Sequence, residues 1–536
     1  MFRQSSRKDI LFEPLRSTGI GFYAFVVLLL AVIAWGAYAY YLQLRDGLVV
    51  TGLRDYVFWG IYMTNFVFFI GISHAGTLIS AILRVTRAGW RRPITRMAEA
   101  ITVFALMIGA PMIIIDMGHP ERILNLLLYG RLQSPILWDL ISITTYLTGS
   151  LMYLYLPMIP DLALCRDRLT DAPAWKQFMY RVLAMGWHGD EEQKRKLERG
   201  VAIMAVLIIP IAVSVHTVVS WIFGMTLRPG WHSTIFGPYF VVGAIFSGIA
   251  SILIAMVIFR RVYHLEAYLE VKHFRNLGLL LLVMDLIYIY FTLSEYLTML
   301  YGNERADQAV LQMLFGGDFA LPFWAMVLGG FVLPALMLAL PNLVRAPARA
   351  RAPFPVLRPV AVAAAVAVLA LITFAPRTSP TASLQVASLL PLLRLFSIVA
   401  ALGGLFWLAL PLMRAHPIAT VVTASVLVNA AMWLKRYIII VPTLYNPRIP
   451  IQNVPSWEWA HYAPTWVEWS ITAGAFAAFI LLYALFSKIF PIVSIWETFQ
   501  VSQETLVSHE TLVSQETLEH APARVEARAA EGGANV

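Results

Sequence analysis

Long apolar blocks separated by short polar segments run along most of the chain. Twelve blocks stand out: 20–42, 56–83, 97–117, 135–158, 200–222, 236–259, 276–300, 320–341, 359–375, 392–412, 417–440 and 467–488. Each is close to the ~20 residues that a helix needs to cross a bilayer, whereas β-barrel strands would show ~10-residue alternating segments. The pattern therefore predicts an all-α polytopic membrane protein. It has twelve spans, or ten if the short ninth block and the tenth form one re-entrant unit.

Composition and charge support this prediction. Hydrophobic residues make up 59% of the chain and charged residues only 13%, against about 25% charged in soluble domains. The net charge of +9 does not indicate nucleic-acid binding, because lysines and arginines concentrate in alternate short loops, at 84–96, 160–199, 260–275 and 345–358. The positive-inside rule then predicts that both termini are cytoplasmic. A single cysteine, Cys165, cannot hold a metal cluster, so we expect no iron–sulfur cluster in this chain.

Four ionisable residues inside apolar blocks are candidates for a proton path: His74, His216, Asp285 and Glu295. Burying such groups costs about 2.5–3.5 kcal/mol each on insertion scales, so each needs a reason to be there. The two acids are ten residues apart, project about 80° apart on a helix and could border one hydrated crevice. The two histidines could be axial ligands of a b-type haem. Their expected depths in the membrane differ, which favours a polar network or a proton station.

Two short motifs suggest a site for hydroquinone. DMGHPER (116–122) closes the third block and SPILWD (134–139) opens the fourth. Ser134 followed by Pro135 is typical of a helix start, which puts Asp139 about one turn inside the membrane. There it can face Asp116 and His119, and such a cluster could accept protons from a hydroquinone. Equally, the cluster could be structural, with Arg122 or Arg131 pairing with Asp139.

Further along, three segments complete a resemblance to a known family. They are LVNAAMWLKRYIII (427–440), YAPTWVEW (462–469) and FPIVSIWE (490–497). Together with the two motifs above, they resemble the NrfD/polysulfide-reductase membrane subunits over most of 20–343 and 417–497. The similarity is greatest to the quinol-oxidising membrane subunit of bacterial alternative complex III.

The resemblance implies two four-helix transmembrane bundles with additional peripheral helices. The expected organisation is as follows: cytoplasmic N-terminus 1–19; first peripheral helix and loop 20–55; first bundle with the quinol site 56–222; second bundle 223–343 and 417–440; two inserted helices 344–416; outer loop 441–466; last transmembrane helix 467–488; cytoplasmic tail 489–536. The tail contains the hexapeptide repeat VSQETL, VSHETL, VSQETL at 501–518.

The resemblance also implies a function. Menaquinol would bind near the periplasmic face of a bacterial inner membrane and pass electrons to a docked iron–sulfur subunit. Multihaem c-type cytochrome subunits, a paralogous membrane subunit, and a terminal oxidase or soluble carrier would complete the system. This chain would hold no metal or haem. Alternatives are a secondary transporter, a proton-conducting or structural subunit without a quinol site, and a haem b anchor.

The family's quinol site maps onto a small set of residues here. Asp116, His119 and Asp139 would act on the quinol, with Ser134, Trp138 and Arg122 completing the binding site. One departure from the family pattern concerns the first motif, where the family has histidine at the position of Asp116 and arginine at that of His119. Which of these two residues touches quinol is therefore open at the sequence level.

Overall fold

The computed structural model describes residues 10–343, 409–446 and 461–498, and these residues form helices joined by short turns and loops. In chain order, the α-helices of six residues or more are α1 Ile20–Asp46, α2 Ile61–Val85, α3 Thr95–Asp116, α4 Ile123–Leu128, α5 Pro135–Tyr155, α6 Ile159–Arg168, α7 Ala174–Leu183, α8 Glu191–Met225, α9 Phe236–Val262, α10 Val271–Gly302, α11 Arg305–Phe315, α12 Ala320–Leu343, α13 Pro417–Leu444 and α14 Trp466–Ile489. The middle of α12, Ala325–Val332, is π-helical.

The described residues contain ten helices long and apolar enough to cross a membrane: α1, α2, α3, α5 continued by α6, α8, α9, α10, α12, α13 and α14. The prediction of an all-helical polytopic membrane protein is confirmed. The predicted span at 359–375 and most of the one at 392–412 lie outside the described residues. Helix α1 shows why lipid must solvate the molecule, since Ile20, Val27 and Leu28 are each more than half exposed.

The spans pack as two groups of four with a pair beside them. Helices α2, α3, α5 and α8 form one group, and α9, α10, α12 and α13 form the other. The groups join where α2 packs against α9 and α13. The pair α1 and α14 lies against α2 and α3, with Trp35 Nε1 donating to Ser470 Oγ at 2.9 Å.

Successive spans alternate in direction, so the loops fall on two faces. We call the face that carries residues 47–60, 117–134, 226–235 and 303–319 the upper face. The lower face carries residues 86–94, 169–190, 263–270 and 490–498.

Ion pairs and hydrogen bonds hold the segment after α14 against the lower face. Glu497 pairs with Arg84 at 2.8 Å and with Arg91 at 3.1 Å. Burial alone would raise the pKa of the Glu497 carboxyl, but the two guanidinium groups together hold it below its ordinary value. Asp161, itself paired with Arg96 at 2.6 Å, accepts the backbone N–H of Trp496 at 2.6 Å. Much of the motif FPIVSIWE therefore anchors the C-terminal end of α14 to the first bundle.

Candidate functional site

Asp139 lies at the upper end of α5 on its buried side. Helix α5 begins as predicted, with Ser134 at the N-cap and Pro135 at the first position, although the Ser134 side chain makes no capping hydrogen bond. Asp139 is 4% exposed, and its Oδ1 has no hydrogen-bond partner. No ion pair joins Asp139 to Arg122 or Arg131 among the described residues. The purely structural alternative, a salt bridge that fixes the loop, is therefore not formed.

Asp116 is the last residue of α3, and its Oδ1 is also buried without a hydrogen-bond partner. The neighbouring carbonyl of Ile115 accepts from Gln43 Nε2 at 2.8 Å, and Tyr62 OH donates to Gln43 Oε1 at 2.7 Å. The end of α3 that carries Asp116 is therefore held against helices α1 and α2.

The predicted partner His119 lies elsewhere. Its side chain is 62% exposed and its Nδ1 lies 3.0 Å from Glu121 Oε1. Arg122 is exposed, and Trp138 donates its Nε1 to the carbonyl of Leu132. The expectation that His119 faces both acids is wrong, because Gly118 takes a left-handed backbone (φ +70°) after α3 and the chain turns away.

An exposed apolar segment borders Asp139 on the upper face. It comprises the short helix α4, the turn after it and the start of α5, with these side chains more than half exposed: Leu124, Leu127, Leu128, Tyr129, Leu132 and Ile136. In a membrane protein such a surface contacts lipid or a lipid-soluble molecule. Ile136 of this segment lies three residues before Asp139 in α5, so the exposed segment and the buried carboxylate belong to the same end of that helix.

His74 and His216 are in direct contact in the middle of the first bundle. His216 Nδ1 lies 3.2 Å from His74 Nε2, and the ring centroids are 4.0 Å apart. The expectation that they lie at different depths is therefore wrong. Axial ligands of one haem stand on opposite sides of the iron, which this contact does not allow.

Both ring nitrogens of His74 lie close to backbone carbonyl oxygens. Its Nδ1 lies 2.7 Å from the carbonyl oxygen of Ile70 and its Nε2 lies 2.7 Å from that of Ala212. A neutral imidazole has one N–H donor, so the neutral ring can donate to only one of these two carbonyl oxygens, and it can donate to both only with a second proton. The neighbouring His216 can take or supply that proton through the 3.2 Å contact.

A buried ion pair occupies the second bundle toward the upper face. Lys435 Nζ on α13 lies 2.8 Å from Glu295 Oε2 on α10 and 3.1 Å from Tyr296 OH. Both charged side chains are almost completely buried. Lys435 Nζ also lies 5.1 Å from the ring centre of Tyr239. Lys435 satisfies the charge of Glu295, which explains how this acid is tolerated inside the membrane.

Helix α10 carries more polar side chains on the same buried side. Asp285, Tyr288 and Thr292 precede Glu295 along it, and Thr292 Oγ1 lies 2.8 Å from Tyr239 OH. Neither carboxylate oxygen of Asp285 has a hydrogen-bond partner. Asp285 and Glu295 are both buried, and the hydrated crevice expected between them stays a prediction.

Arg436 connects the two bundles. Its guanidinium lies against Gly71 of α2, where a Cβ would be 3.4 Å from Nη2, and against Gly243 of α9, where it would be 3.3 Å away. Gly71 is less than one helical turn from His74. A cavity beside Arg436 and Tyr288 has room for about one water molecule. The polar groups of the second bundle therefore reach the level of the histidine pair.

Below the histidines, buried polar groups continue toward the lower face. Tyr146 OH donates to the carbonyl oxygen of Ser73 at 3.0 Å. One to two turns lower, Ser80 Oγ donates to Glu99 Oε1 at 2.7 Å and lies 3.3 Å from Tyr153 OH. Glu99 is 2% exposed. A series of titratable groups, with gaps, thus runs from Glu295 to the lower face.

Sequence reasoning missed four charged residues that the structure places at these positions. Lys435 and Arg436 lie inside a motif that serves in the sequence only as a family marker, and Glu99 and Glu468 lie at the ends of apolar blocks. The signal that could have found them is the one that identified Glu295, namely a charge within a span.

Comparisons with known proteins bear on what this arrangement does. The family model described as polysulphide reductase, NrfD matches residues 49–350, more than half of the chain's 536 residues. A membrane protein of Halobacterium salinarum, provisionally named as part of a dimethyl sulfoxide reductase, is 28% identical over 326 residues, which cover 60% of this chain and 70% of that protein.

Two further relatives are more distant. A selenate reductase subunit of Mesobacillus selenatarsenatis is 26% identical over 314 residues, covering 57% of this chain and 72% of the relative. The Hdr-like menaquinol oxidoreductase integral membrane subunit of Archaeoglobus fulgidus is 25% identical over 337 residues, covering 62% and 74%.

Proposed function

Because this chain belongs to the polysulphide reductase, NrfD family, we propose that it is the quinol-oxidising membrane subunit of a respiratory electron-transfer complex. Menaquinol binds at the upper face and gives its electrons to an iron–sulfur subunit docked there. The Archaeoglobus fulgidus relative, which is named as part of a menaquinol oxidoreductase, supports this choice of quinol.

The observation that carries the proposal is the state of Asp139. A carboxylate buried at 4% exposure with an oxygen left without a hydrogen-bond partner is costly unless it has a use. It lies three residues after Ile136, which belongs to the exposed apolar segment around α4, and we propose that a quinol with an isoprenoid tail enters from the lipid across this segment. A hydroxyl group that donates to Oδ1 would satisfy this oxygen.

Oxidation of a hydroquinone to a quinone releases two protons and two electrons. Asp139 accepts one proton as general base. Asp116, whose Oδ1 is likewise buried and unpartnered, is the second acceptor, and Gln43 and Tyr62 hold the backbone next to it. The two electrons leave to the metal centres of the partner subunit.

We further propose that the complex resembles alternative complex III. Its multihaem c-type cytochrome subunits receive the electrons, and a paralogous membrane subunit and a terminal oxidase or soluble carrier complete it. The motifs at 427–440 and 462–469 support this finer assignment. Lys435 in the first of these segments pairs with Glu295 of α10, and Glu468 in the second accepts from Tyr462 OH at 2.6 Å.

Purification of the complex through a tag on this chain tests the proposal. In mild detergent, we expect an iron–sulfur subunit and multihaem c-type cytochromes to copurify, and menaquinol to reduce the haems. If the catalytic chain of a reductase copurifies without cytochromes, the resemblance to alternative complex III is wrong but quinol oxidation stands. A complex that menaquinol does not reduce would contradict the proposed function itself.

We propose that the buried series from Glu295 through the His74–His216 contact to Glu99 moves protons coupled to this oxidation. Hydrogen-bonded titratable groups inside a membrane are typical of proton relays. The 3.2 Å contact of the histidines supports exchange of a proton between two helices of the first bundle.

The upper face is proposed to be periplasmic, with both termini cytoplasmic in a bacterial inner membrane. We expect Asp55→Cys to react with a membrane-impermeant maleimide on intact cells, and Asp171→Cys to react only after lysis. Both positions are exposed, on opposite faces. The native Cys165 is buried and should stay unlabelled. The reverse pattern would place the quinol site on the cytoplasmic side.

A further inference from the structure

Two loops of the upper face bring three metal-ligating side chains together. His232 lies in the loop between α8 and α9, while Glu304 and Asp307 lie at the N-cap and in the first turn of α11. One ligand atom from each lies within 4.8 Å of the other two. His232 Nε2 and Asp307 Oδ2 are 3.7 Å apart. The cluster therefore links two loops that are far apart in the sequence.

The position of Asp307 is fixed by the backbone of the first loop. Gly230 has a left-handed backbone (φ +74°), and its N–H donates to Asp307 Oδ1 at 3.0 Å. The next residue, Trp231, is buried and donates its Nε1 to the carbonyl of Ile439 at 2.8 Å. With Oδ1 held by this amide, Oδ2 is directed toward His232. A ligating carboxylate oriented by an outer hydrogen bond is a regular feature of metal sites.

We propose that His232, Glu304 and Asp307 bind a divalent transition-metal cation of the zinc class, with water as a further ligand. Zinc bonds to nitrogen and carboxylate oxygen of ~2.0–2.2 Å place tetrahedral ligand atoms about 3.3–3.5 Å apart. The observed 3.7 Å is close to that value, and the greater separations are closed by the exposed side chains of His232 and Glu304 while the buried Asp307 stays in place. One imidazole and two carboxylates suit such a cation better than calcium or magnesium, which prefer oxygen ligands.

The bound cation joins the 226–235 loop to the start of α11. The same loop, through Gly230 and Trp231, borders a cavity whose other wall includes Glu295 and Tyr296. Metal binding would therefore fix the 226–235 loop and the start of α11, which lie on the upper side of the Glu295–Lys435 ion pair. The alternative is a simple pair between a protonated His232 and Asp307, which needs no metal and does not respond to one.

Zinc titration of the purified, chelator-treated complex distinguishes a metal site from a simple His232–Asp307 ion pair. The variants are His232→Ala, Glu304→Gln and Asp307→Asn, and the matched control is His188→Ala, an exposed histidine on the lower face. Asn at 307 still accepts from the Gly230 N–H. We expect each of the three variants to bind zinc at this site at least ~10-fold more weakly than the wild type. Zinc should raise the midpoint of thermal unfolding only in the wild type and in His188→Ala.

Equal zinc affinity and stoichiometry in all five proteins would overturn the proposal. It would also be overturned if His232→Ala lowers the thermal midpoint by the same amount with and without zinc, since that is the behaviour of an ion pair. Protection of the 226–235 backbone from hydrogen exchange on adding zinc, lost in Glu304→Gln, is the expected sign that the cation joins the loops.

Discussion

Replacing Asp139 with asparagine is expected to lower menaquinol-dependent reduction of the partner's metal centres by at least ~10²-fold, the lower end of general-base effects. Asparagine keeps the shape of the side chain and can still accept a hydrogen bond at Oδ1. It cannot take up the quinol proton. Because Asp139 has no ion-pair partner among the described residues, its neutralisation leaves no charge unpaired. The folded complex should therefore survive.

The measurement is the rate of haem reduction by a menaquinol analogue in purified complexes of equal composition. Asp55→Asn is the matched control, since it removes an exposed carboxylate from the same face and should leave the rate unchanged. His119→Ala should also have a small effect, because the ring is mostly exposed and pairs with Glu121. A near-normal rate in Asp139→Asn, with a large loss in His119→Ala, would move the proton acceptor into the 117–122 turn.

Most of the architecture could be predicted from the sequence because each span is specified locally. An apolar block of about twenty residues has to be helical in lipid, where every backbone group must be bonded within its own segment. The start of α5 was equally local, since Ser134 and Pro135 place the first turn. Which side chains face one another across the bundle depends on the rotation and tilt of the helices, and no local sequence pattern encodes these.

The histidine contact shows where depth estimates fail. In the sequence, depth follows from the distance to Arg84 for His74 and to Gly200 for His216. Helix α8 is 35 residues long and begins at Glu191, well beyond the ~20 residues that a span requires. Gly200 lies nine residues inside this helix and does not mark its end, so a depth counted from Gly200 misplaces His216. The structure aligns it with His74, which is in the middle of the 25-residue α2.

The partner of Glu295 was also hidden from the sequence. Lys435 lies 140 residues away, on a helix that follows the segment outside the described residues. A lysine next to an arginine in a span can pair with any intramembrane acid, and spacing does not choose among them. By spacing alone, Asp285 was as good a candidate partner for Lys435 as Glu295, yet both of its carboxylate oxygens lack a hydrogen-bond partner in the structure.

Replacing Lys435 with methionine is expected to destabilise the protein by about 3–5 kcal/mol. Methionine fills most of the same volume, but the Glu295 carboxylate, 6% exposed, is left without the cation that satisfies it. The lost stability is thus the cost of leaving the buried Glu295 charge unpaired. Glu295→Gln alone should also destabilise the protein, because it leaves Lys435 unpaired.

The measurement is the free energy of unfolding in mixed micelles. The control is Lys196→Met, which breaks an exposed pair with Glu192 and should cost no more than about 1 kcal/mol.

The double variant Glu295→Gln/Lys435→Met separates the structural role of the pair from its proposed role in proton movement. With both charges removed, most of the lost stability should return, since a buried pair replaced by neutral residues of similar volume is often neutral or stabilising. If the pair belongs to the proton series, the folded double variant should still oxidise menaquinol through Asp139. It should move fewer protons across the membrane for each quinol oxidised. This is measured with a pH-sensitive dye in proteoliposomes. An unchanged proton count in a double variant of normal stability would make Glu295 and Lys435 a packing element and leave the histidine contact as the remaining proton station.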